Sequence, residues 1–202
     1  ACAPYRRLSV CDYNLEKMGR TWTTKHDLLA EVCMAAKYEG DSIKTHYTPY
    51  QQKYGDSQIC TELARSFADI GDIVRGKDLY LGNPQEKGKR DKLEDNLKKC
   101  FQKIYEGLTN GVKDHYKDEK DGNYYQLRED WWEENRQQVW KAITCEAKTD
   151  DKYFRNTCNG GSPTKGYCRC GNDEPGNDNP NTDPPTYFDY VPQYLRWFEE
   201  WA

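Results

Sequence analysis

The chain has 202 residues and a formal net charge of −4; 36% of its residues are hydrophobic and 32% are charged. Leu, Ile, Val and Phe together make up about 14% of it, a share typical of disordered proteins. However, disordered chains are poor in aromatic residues, and this one has 16 Tyr and 6 Trp. No run in the sequence approaches the roughly 18 apolar residues of a membrane span, which excludes a transmembrane segment within it. We therefore expect a small, aromatic, cross-linked core.

The first predicted helix follows a segment without clear periodicity, residues 1–20. Thr24 and Asp27 have the spacing of a capping box, which marks a helix start. Five apolar positions then fall on one helical face: Leu28, Leu29, Val32, Cys33 and Ala36. Gly40 is expected to end this helix, because glycine is the commonest residue after a helix terminus. Residues 41–55 are polar and Tyr-rich and are predicted to form a loop.

The second helix has the clearest pattern. Asp56 or Ser57 is expected to cap it, and Gly76 to end it. Its apolar positions recur every three or four residues: Ile59, Leu63, Phe67, Ile70 and Val74. A glycine inside a helix costs about 1 kcal/mol relative to alanine. We therefore expect Gly71 to mark a close approach of another helix rather than a functional position.

The segment Gly82-Asn83-Pro84 breaks the chain, and a third helix is predicted over roughly 89–106. Its inward positions are Leu93, Leu97, Cys100, Phe101 and Ile104. After a polar stretch at 107–122, a fourth helix is predicted from Tyr124 to Cys145. Its inward face repeats every four residues and is widened by two further tryptophans: Leu127, Trp131, Asn135, Val139 and Ile143, with Trp132 and Trp140. Tryptophans at helical spacing are expected in the core rather than on a binding surface.

Residues 146–188 are rich in glycine and proline and predict a long loop tethered by its cysteines. Asp189 has the position of a helix N-cap, and Pro192 that of an early helical residue. The last helix carries Leu195, Phe198 and Trp201 on one face. It reaches Ala202 without a termination signal, which suggests a fragment of a longer protein.

Nine cysteines are many for a chain of this length: Cys2, Cys11, Cys33, Cys60, Cys100, Cys145, Cys158, Cys168 and Cys170. A cytosolic protein rarely carries so many without a metal, so disulfides in an extracellular protein are the favoured interpretation. The alternative is a zinc site made by the last four, whose spacing lacks the C-x2-C pairs that zinc sites favour. The odd number requires one cysteine that is free or pairs outside this chain, which again suggests a fragment.

Basic residues concentrate near the third helix: Lys87, Lys89, Arg90, Lys92, Lys98, Lys99 and Lys103. Such a stretch can bind sulfated polysaccharide, nucleic acid or an anionic membrane, and four of these lysines share one helical stripe. The alternative is a solvated helix face, because Glu94–Lys98 and Asp95–Lys99 have the favourable order for helix ion pairs. Both interpretations stay open on the sequence alone.

No catalytic motif is found: the sequence has no GxSxG, HExxH, Walker A or GxGxxG pattern. Asp69 and Asp72 lie three apart in the second helix and are expected on a helix surface or in salt bridges. Glu199 and Glu200 are expected to be solvated. The sequence predicts a disulfide-bonded helical recognition module, not an enzyme, with no catalytic residue, cofactor or metal.

Four segments carry a resemblance to a known family. They are CAPYRRL (Cys2–Leu8), LARSFADIGDIVRG (Leu63–Gly76), LREDWW (Leu127–Trp132) and DYVPQYLRWFEEW (Asp189–Trp201). Together, and in this order, they resemble the Duffy-binding-like domain, more narrowly the alpha class in erythrocyte membrane protein 1 of the malaria parasite. The resemblance spans almost the whole chain.

This resemblance implies an all-α, disulfide-bonded fold in three subdomains. Residues 1–20 would be the end of the first subdomain and 21–188 the helical second, with variable loops at 83–123 and 146–185. Residues 189–202 would start the helix that leads into a truncated third subdomain.

The resemblance also bears on the cysteines. Family cysteines placed like Cys2 and Cys11 pair with cysteines upstream of this sequence. Cys100 occupies a helix position that the family usually fills with an aliphatic residue, so it is the candidate for the odd thiol. The six others would form three bridges: Cys33, Cys60, Cys145, Cys158, Cys168 and Cys170. We expect the pairs Cys60–Cys158 and Cys33–Cys145, with Cys168 and Cys170 left open.

The implied function is adhesion at the surface of the infected erythrocyte, as part of a larger membrane-anchored protein. Implied partners are host receptors (sulfated glycans such as heparan sulfate, complement receptor one or blood-group sugars, in rosetting), antibodies and neighbouring adhesin domains, but not nucleic acid. The basic stretch suits a polysaccharide site by type, and Arg6 and Arg7 are candidates to extend it. The alternative is a protein–protein or spacer module whose variable loops serve immune evasion, with the Tyr-rich segment Tyr47–Tyr54 as a contact surface.

Overall fold

In a computed structural model of the chain, residues 2–18, 24–51, 59–116 and 122–202 are described. These residues form eight α-helices: α1 (Tyr5–Leu8), α2 (Tyr13–Lys17), α3 (Lys25–Gln51), α4 (Ile59–Arg75), α5 (Pro84–Glu106), α6 (Asn110–Lys113), α7 (Tyr125–Ile143) and α8 (Gln193–Trp201). Two short 3-10 turns add Asp114–Tyr116 and Phe188–Tyr190. No β-strand occurs within these ranges, and the predicted all-α class is confirmed. None of their helices is both long and apolar enough to cross a membrane.

Helix α3 is longer than predicted. It begins after Thr24, whose backbone N–H donates to the Asp27 carboxylate as half of the expected capping box. It continues through Gly40 to Gln51, so the prediction of a stop at Gly40 and a loop over 41–51 was wrong. A Cβ at Gly40 would lie 2.2 Å from the Ile143 carbonyl oxygen, so this glycine permits a close contact with α7. Residues 52–55 lie outside the described ranges.

Helix α4 follows the predicted pattern. Its expected caps, Asp56 and Ser57, lie outside the described residues, and it ends before Gly76, which has a φ of +71°. A Cβ at Gly71 would lie 2.7 Å from Trp132 Cζ2, which confirms the predicted close approach. Glycine at this position lets the Trp132 ring lie directly on the α4 backbone.

Helix α5 begins earlier than predicted, at Pro84 instead of near residue 89. The Asn83 side chain accepts hydrogen bonds from the backbone N–H groups of Gln85 and Glu86, both at 3.0 Å. The Glu86 carboxylate accepts in return from the Asn83 N–H at 3.2 Å, which completes a capping box. The segment expected to break the chain therefore starts a helix.

The core lies where α3, α4, α5 and α7 meet and is largely aromatic. Phe67 of α4 has ring centroids 5.2 Å from both Trp132 and Trp140 of α7. Phe101 of α5 meets Trp131 edge-on at 6.1 Å. All three tryptophans are buried, as predicted. Large rings bury much area per residue, which compensates for the low aliphatic content.

The segment 146–188 is irregular, as predicted, and two disulfides tether it: Cys60–Cys168 and Cys158–Cys170. The expected Cys60–Cys158 pair was wrong, because Cys158 bonds within the loop and Cys168 reaches α4. The zinc alternative was also wrong, since three of its four proposed ligands are in disulfides.

The expected Cys33–Cys145 bridge was wrong as well, and both cysteines are unbridged. Cys145 lies beside Asp41, since their ligand atoms fall within 4.8 Å. Cys33 precedes Asp41 by eight residues, which is about 12 Å along the helix axis. A disulfide needs Cα atoms within about 7 Å, so this pair is out of reach. Cys2, Cys11 and Cys100 are likewise unbridged.

Candidate ligand-binding surface

Helix α5, which carries the predicted basic stretch, packs on the core through its inner face. Leu93, Leu97 and Phe101 bury its inner face. At the side of the helix, the Asn96 amide donates to the Glu16 carbonyl at 3.2 Å. With these contacts set, the outward positions of α5 face solvent along most of its length.

Four exposed lysines form one stripe on α5: Lys89, Lys92, Lys99 and Lys103. The first and the last are 14 positions apart, or about 21 Å along the helix axis. We call these four the lysine stripe. Lys87 and Lys98 lie on the other side of the helix, with Lys87 exposed and Lys98 half-buried. The structure therefore divides the predicted basic stretch between two faces.

Neither of the two ion pairs expected from the sequence within α5 forms among the described residues. Glu94 binds Arg128 of α7 through two hydrogen bonds of 2.7 and 3.0 Å, instead of Lys98. Asp95 and Lys99 form no ion pair in the part of the chain that the structure describes. Neither Glu94 nor Asp95 therefore neutralises a lysine of the stripe among the described residues.

None of the three arginines proposed to bind glycan is free of a carboxylate partner. Arg90 pairs with Asp12 and lies over the Tyr80 ring at 5.3 Å. Arg7 is fully buried and pairs with Asp78. Arg6 pairs with Asp69 at 2.7 Å and with Glu200 at 2.8 Å. The prediction that Arg6 and Arg7 extend the basic site was wrong, because both serve to hold α1 on the core.

Asp69 and Asp72 lie inside the molecule, so of the two expected settings the helix surface was wrong and the salt bridges are confirmed. Arg196 of α8 binds both carboxylates, and Arg75 binds Asp72 at 2.9 Å. Glu200 is also mostly shielded, with its side chain 11% exposed, whereas Glu199 is exposed as expected. These pairs join α1 and α8 to α4.

Asp189 is part of the same buried interior and does not cap α8, which begins four residues later. Its carboxylate accepts from Trp132 Nε1 at 2.9 Å and from Arg136 at 2.8 and 2.9 Å. The prediction of an N-cap was wrong because the side chain turns inward to satisfy two buried donors on α7.

Two cavities of about 270 and 220 Å³ flank Lys103 at the end of the lysine stripe. Lys25 lines the first and Lys99 the second, so basic side chains border both. Cys100 lines both cavities, and its burial raises the pKa of the thiol to about 12. The thiol is therefore protonated at physiological pH and is a poor nucleophile or metal ligand.

One group of described side chains has the spacing of metal ligands: Asp41, Cys145 and Glu146. Glu146 already pairs with Lys44 at 2.9 Å, and burial raises the pKa of the Cys145 thiol. These features favour a lysine-paired surface over a metal centre.

A family model described as the Duffy binding domain matches residues 1–196. The chain belongs to the Duffy binding domain family. Among curated proteins, no sequence matches it. The resemblance inferred from the four sequence segments is thus confirmed.

Solved structures give closer comparisons for this Duffy binding domain. It is 46% identical to the NTS-DBL1-alpha and CIDR-gamma double domain of PfEMP1 from the Plasmodium falciparum varO strain, with a TM-score of 0.81 over 100% of this chain and 27% of that one. It is also 46% identical to the NTS-DBL1(alpha-1) domain of the same strain, with a TM-score of 0.79 over 100% of this chain and 43% of that one. With the PfEMP1 IT4var13 DBLbeta domain bound to ICAM-1 it shares 35% identity and a TM-score of 0.72, over 100% of this chain and 44% of that one. The chain thus spans about a quarter to less than half of these proteins.

Proposed function

We propose that this Duffy binding domain is an adhesion module that binds host receptors outside the infected red cell, as part of a larger variant surface protein. Family membership and the 46% identity to two DBL1-alpha structures support this proposal. The DBLbeta relative that is bound to ICAM-1 supports receptor binding by this fold. We retain the division at residues 20 and 188 into parts of three subdomains as part of this proposal.

For the ligand, we propose a sulfated glycan of the heparan sulfate type, bound along the lysine stripe in rosetting or cytoadherence. The observation that carries this proposal is the row of exposed ammonium groups spaced over about 21 Å of one helix. A linear polyanion can contact several such groups at once. Many weak contacts then add up, especially where the protein is displayed in many copies.

The test is heparin affinity of a variant in which Lys89, Lys92, Lys99 and Lys103 are replaced by Ala. We expect affinity to fall about tenfold or more, because each exposed ion pair contributes roughly 0.2–1 kcal/mol. Retention of the unaltered domain should also fall steeply with salt.

The matched control removes the same number of charges elsewhere, at four exposed lysines: Lys37, Lys148, Lys152 and Lys165. We expect heparin affinity of this control to stay within about twofold, since distant exposed charges are screened at physiological salt. Equal losses in the two variants would show a net-charge effect and contradict the lysine stripe as a site.

A protein receptor is the second candidate, favoured by the ICAM-1 complex of the DBLbeta relative. Exposed aromatic side chains such as Tyr125, Tyr187 and Tyr194 suit such an interface. Most of the predicted contact segment Tyr47–Tyr54 lies outside the residues whose side chains are described. Complement receptor one and blood-group sugars are proposed ligands that a receptor array would test together with host proteins. Salt-insensitive binding to a host protein would favour this candidate, and the absence of any ligand in a receptor array would favour a spacer.

A further inference from the structure

A cavity of about 540 Å³ opens between α1, α3 and α4, and none of its lining residues belongs to α5. Its size is in the range of known ligand sites, about 300–1,000 Å³. Tyr5 of α1, Glu39 and Ile43 of α3 and Glu62 of α4 contribute to its wall. The wall thus combines carboxylates with apolar and aromatic surface.

Glu39 is a buried carboxylate that forms no ion pair with the described residues. Only 3% of the residue is exposed, and its carboxylate accepts hydrogen bonds from the Cys11 backbone N–H at 2.9 Å and the Ser66 hydroxyl at 2.6 Å. Both donors are neutral. A buried carboxylate held in this way favours a cation nearby, because its charge is only partly compensated.

The guanidinium groups near this cavity are already occupied by other carboxylates. Arg6 lines it but is held by Asp69 and Glu200. Arg65 binds both Glu62, at 2.9 Å, and Glu199, at 3.0 Å. Arg196 also binds Asp69, at 2.8 Å. Three guanidiniums thus face four carboxylates, and Glu39 adds a fifth. Burial raises the pKa of Glu62, and the charges of Arg65 and Arg6 only partly offset this rise.

Aromatic faces complete the environment. Tyr5, His46 and Tyr47 contribute rings to the wall, and an aromatic face attracts a cation within about 6 Å of its centre. We propose that this cavity binds the guanidinium or ammonium head of a basic side chain carried by a polypeptide partner. A polypeptide is favoured over a free amine because Tyr5 is 80% exposed and Leu8, also on α1, is 45% exposed. These side chains offer apolar contact area that a small amine cannot use.

The test measures binding of an end-blocked Gly-Arg-Gly peptide by NMR titration, beside the same peptide with neutral citrulline. We expect the arginine peptide to bind at least about tenfold more tightly, since hydrogen bonds to charged groups contribute roughly 1.5–3 kcal/mol. Glu62→Gln should weaken binding of the arginine peptide by about tenfold for the same reason. Tyr5→Leu should weaken it about two- to fivefold, the usual size of an exposed cation–π contact.

Glu133→Gln is the matched control, because Glu133 is exposed on α7 and does not line the cavity. It should leave the affinity unchanged. Glu62→Gln leaves the Cys11 and Ser66 contacts of Glu39 in place, so the variant should keep its thermal unfolding midpoint within a few degrees. Equal affinity for the citrulline peptide, or unchanged binding by Glu62→Gln, would overturn the proposal.

Methylguanidinium is the second probe. It distinguishes a small free cation from a basic side chain carried by a polypeptide. Binding that is clearly weaker than that of the peptide supports a polypeptide partner, and equal binding contradicts one. Heparin affinity should not change in Glu62→Gln, because the lysine stripe lies on another helix. Failure of this proposal therefore leaves the glycan proposal intact, and the reverse also holds.

Discussion

Asp69 and Asp72, one helical turn apart on α4, respond to burial in opposite ways. Burial alone raises the pKa of a carboxyl group, but at Asp69 the charges of Arg6 and Arg196 outweigh it and the pKa is lowered. At Asp72 burial outweighs the charges of Arg196 and Arg75, and the pKa rises to about 6. The Asp69 carboxylate therefore stabilises the fold at neutral pH, whereas the Asp72 carboxylate is ionised at a cost.

This difference predicts how stability depends on pH. A folded-state pKa of about 6 at Asp72 means that the folded protein binds a proton more tightly than the unfolded chain. Its contribution to the free energy of unfolding is therefore fully present below about pH 4 and is lost as pH rises through 6. Asp72→Asn should remove this component, which urea unfolding between pH 4 and 7 would measure.

Asp69→Asn is the comparison variant for the same measurement. Because the pKa of Asp69 is lowered, its stabilisation is present above about pH 4 and is lost only at lower pH. Its loss leaves Arg6 and Arg196 short of a counter-charge, so we expect about 3–5 kcal/mol of destabilisation at pH 7. If the stability of the Asp72→Asn variant changed with pH in the same way as that of the unaltered protein, the raised pKa of Asp72 would be contradicted.

Single residues also show where sequence reasoning stops. Arg6 and Arg7 were assigned to a surface site because arginine is usually exposed. The carboxylates that hold these arginines in the interior are distant in sequence, because they lie more than 60 residues further along the chain. One signal was present: Asp69 and Asp72 occupy an otherwise apolar stretch of α4, residues 67–74, and buried carboxylates require buried cations.

Among the helices, two glycines in helical segments have different surroundings. A Cβ at Gly71 would lie 2.7 and 2.8 Å from Cζ2 and Cε2 of the buried Trp132 ring. At Gly88, in α5, a Cβ would meet nothing within 4 Å. The same substitution should therefore have opposite effects.

We expect Gly71→Ala to destabilise the domain by about 1–3 kcal/mol, because a buried indole cannot move aside without disturbing the core. Gly88→Ala should stabilise it by up to about 1 kcal/mol through helix propensity. Thermal unfolding of both variants is the measurement. Stabilisation by Gly71→Ala would show that α4 and α7 are further apart than described.

Helix interiors were predictable from the sequence, but several ends were not. The apolar repeats of α4 and α7 give their faces directly, because periodicity reports burial. Gly40 was misread because a stop signal and a close-packing position use the same residue. Asn83-Pro84 was misread because a capping box also looks like a chain break.

Across the whole molecule, the two disulfides close loops of very different length. Cys60–Cys168 joins residues 108 positions apart, and Cys158–Cys170 joins residues 12 apart. A cross-link reduces the entropy of the unfolded chain more when its loop is longer. Replacing Cys60 and Cys168 together by Ala should therefore cost about 2 kcal/mol more than replacing Cys158 and Cys170. Denaturant unfolding under non-reducing conditions would measure this, and equal losses would contradict the entropic account.

The cysteine pairing illustrates what whole-molecule geometry adds. The sequence and its family resemblance correctly placed a tether in the loop 146–188 but assigned the wrong loop cysteine, Cys158 instead of Cys168, to Cys60. The choice depends on which sulfur reaches α4 once the loop is folded. The Duffy binding domain family and the all-α class, by contrast, were predictable because both rest on long, ordered motifs.

The contact of Gly40 with Ile143 has a kinetic consequence. Helices α3 and α7 start at the same end of the molecule, where Lys25 of α3 lies by Lys103 and Tyr124 lies by Tyr105. The two helices are therefore parallel neighbours, although α4 and α5 separate them in the chain. Parallel helices cannot zip together as a local hairpin, so this interface forms only after a long segment has been ordered. We expect the domain to fold slowly for a helical protein, because non-local contacts delay folding.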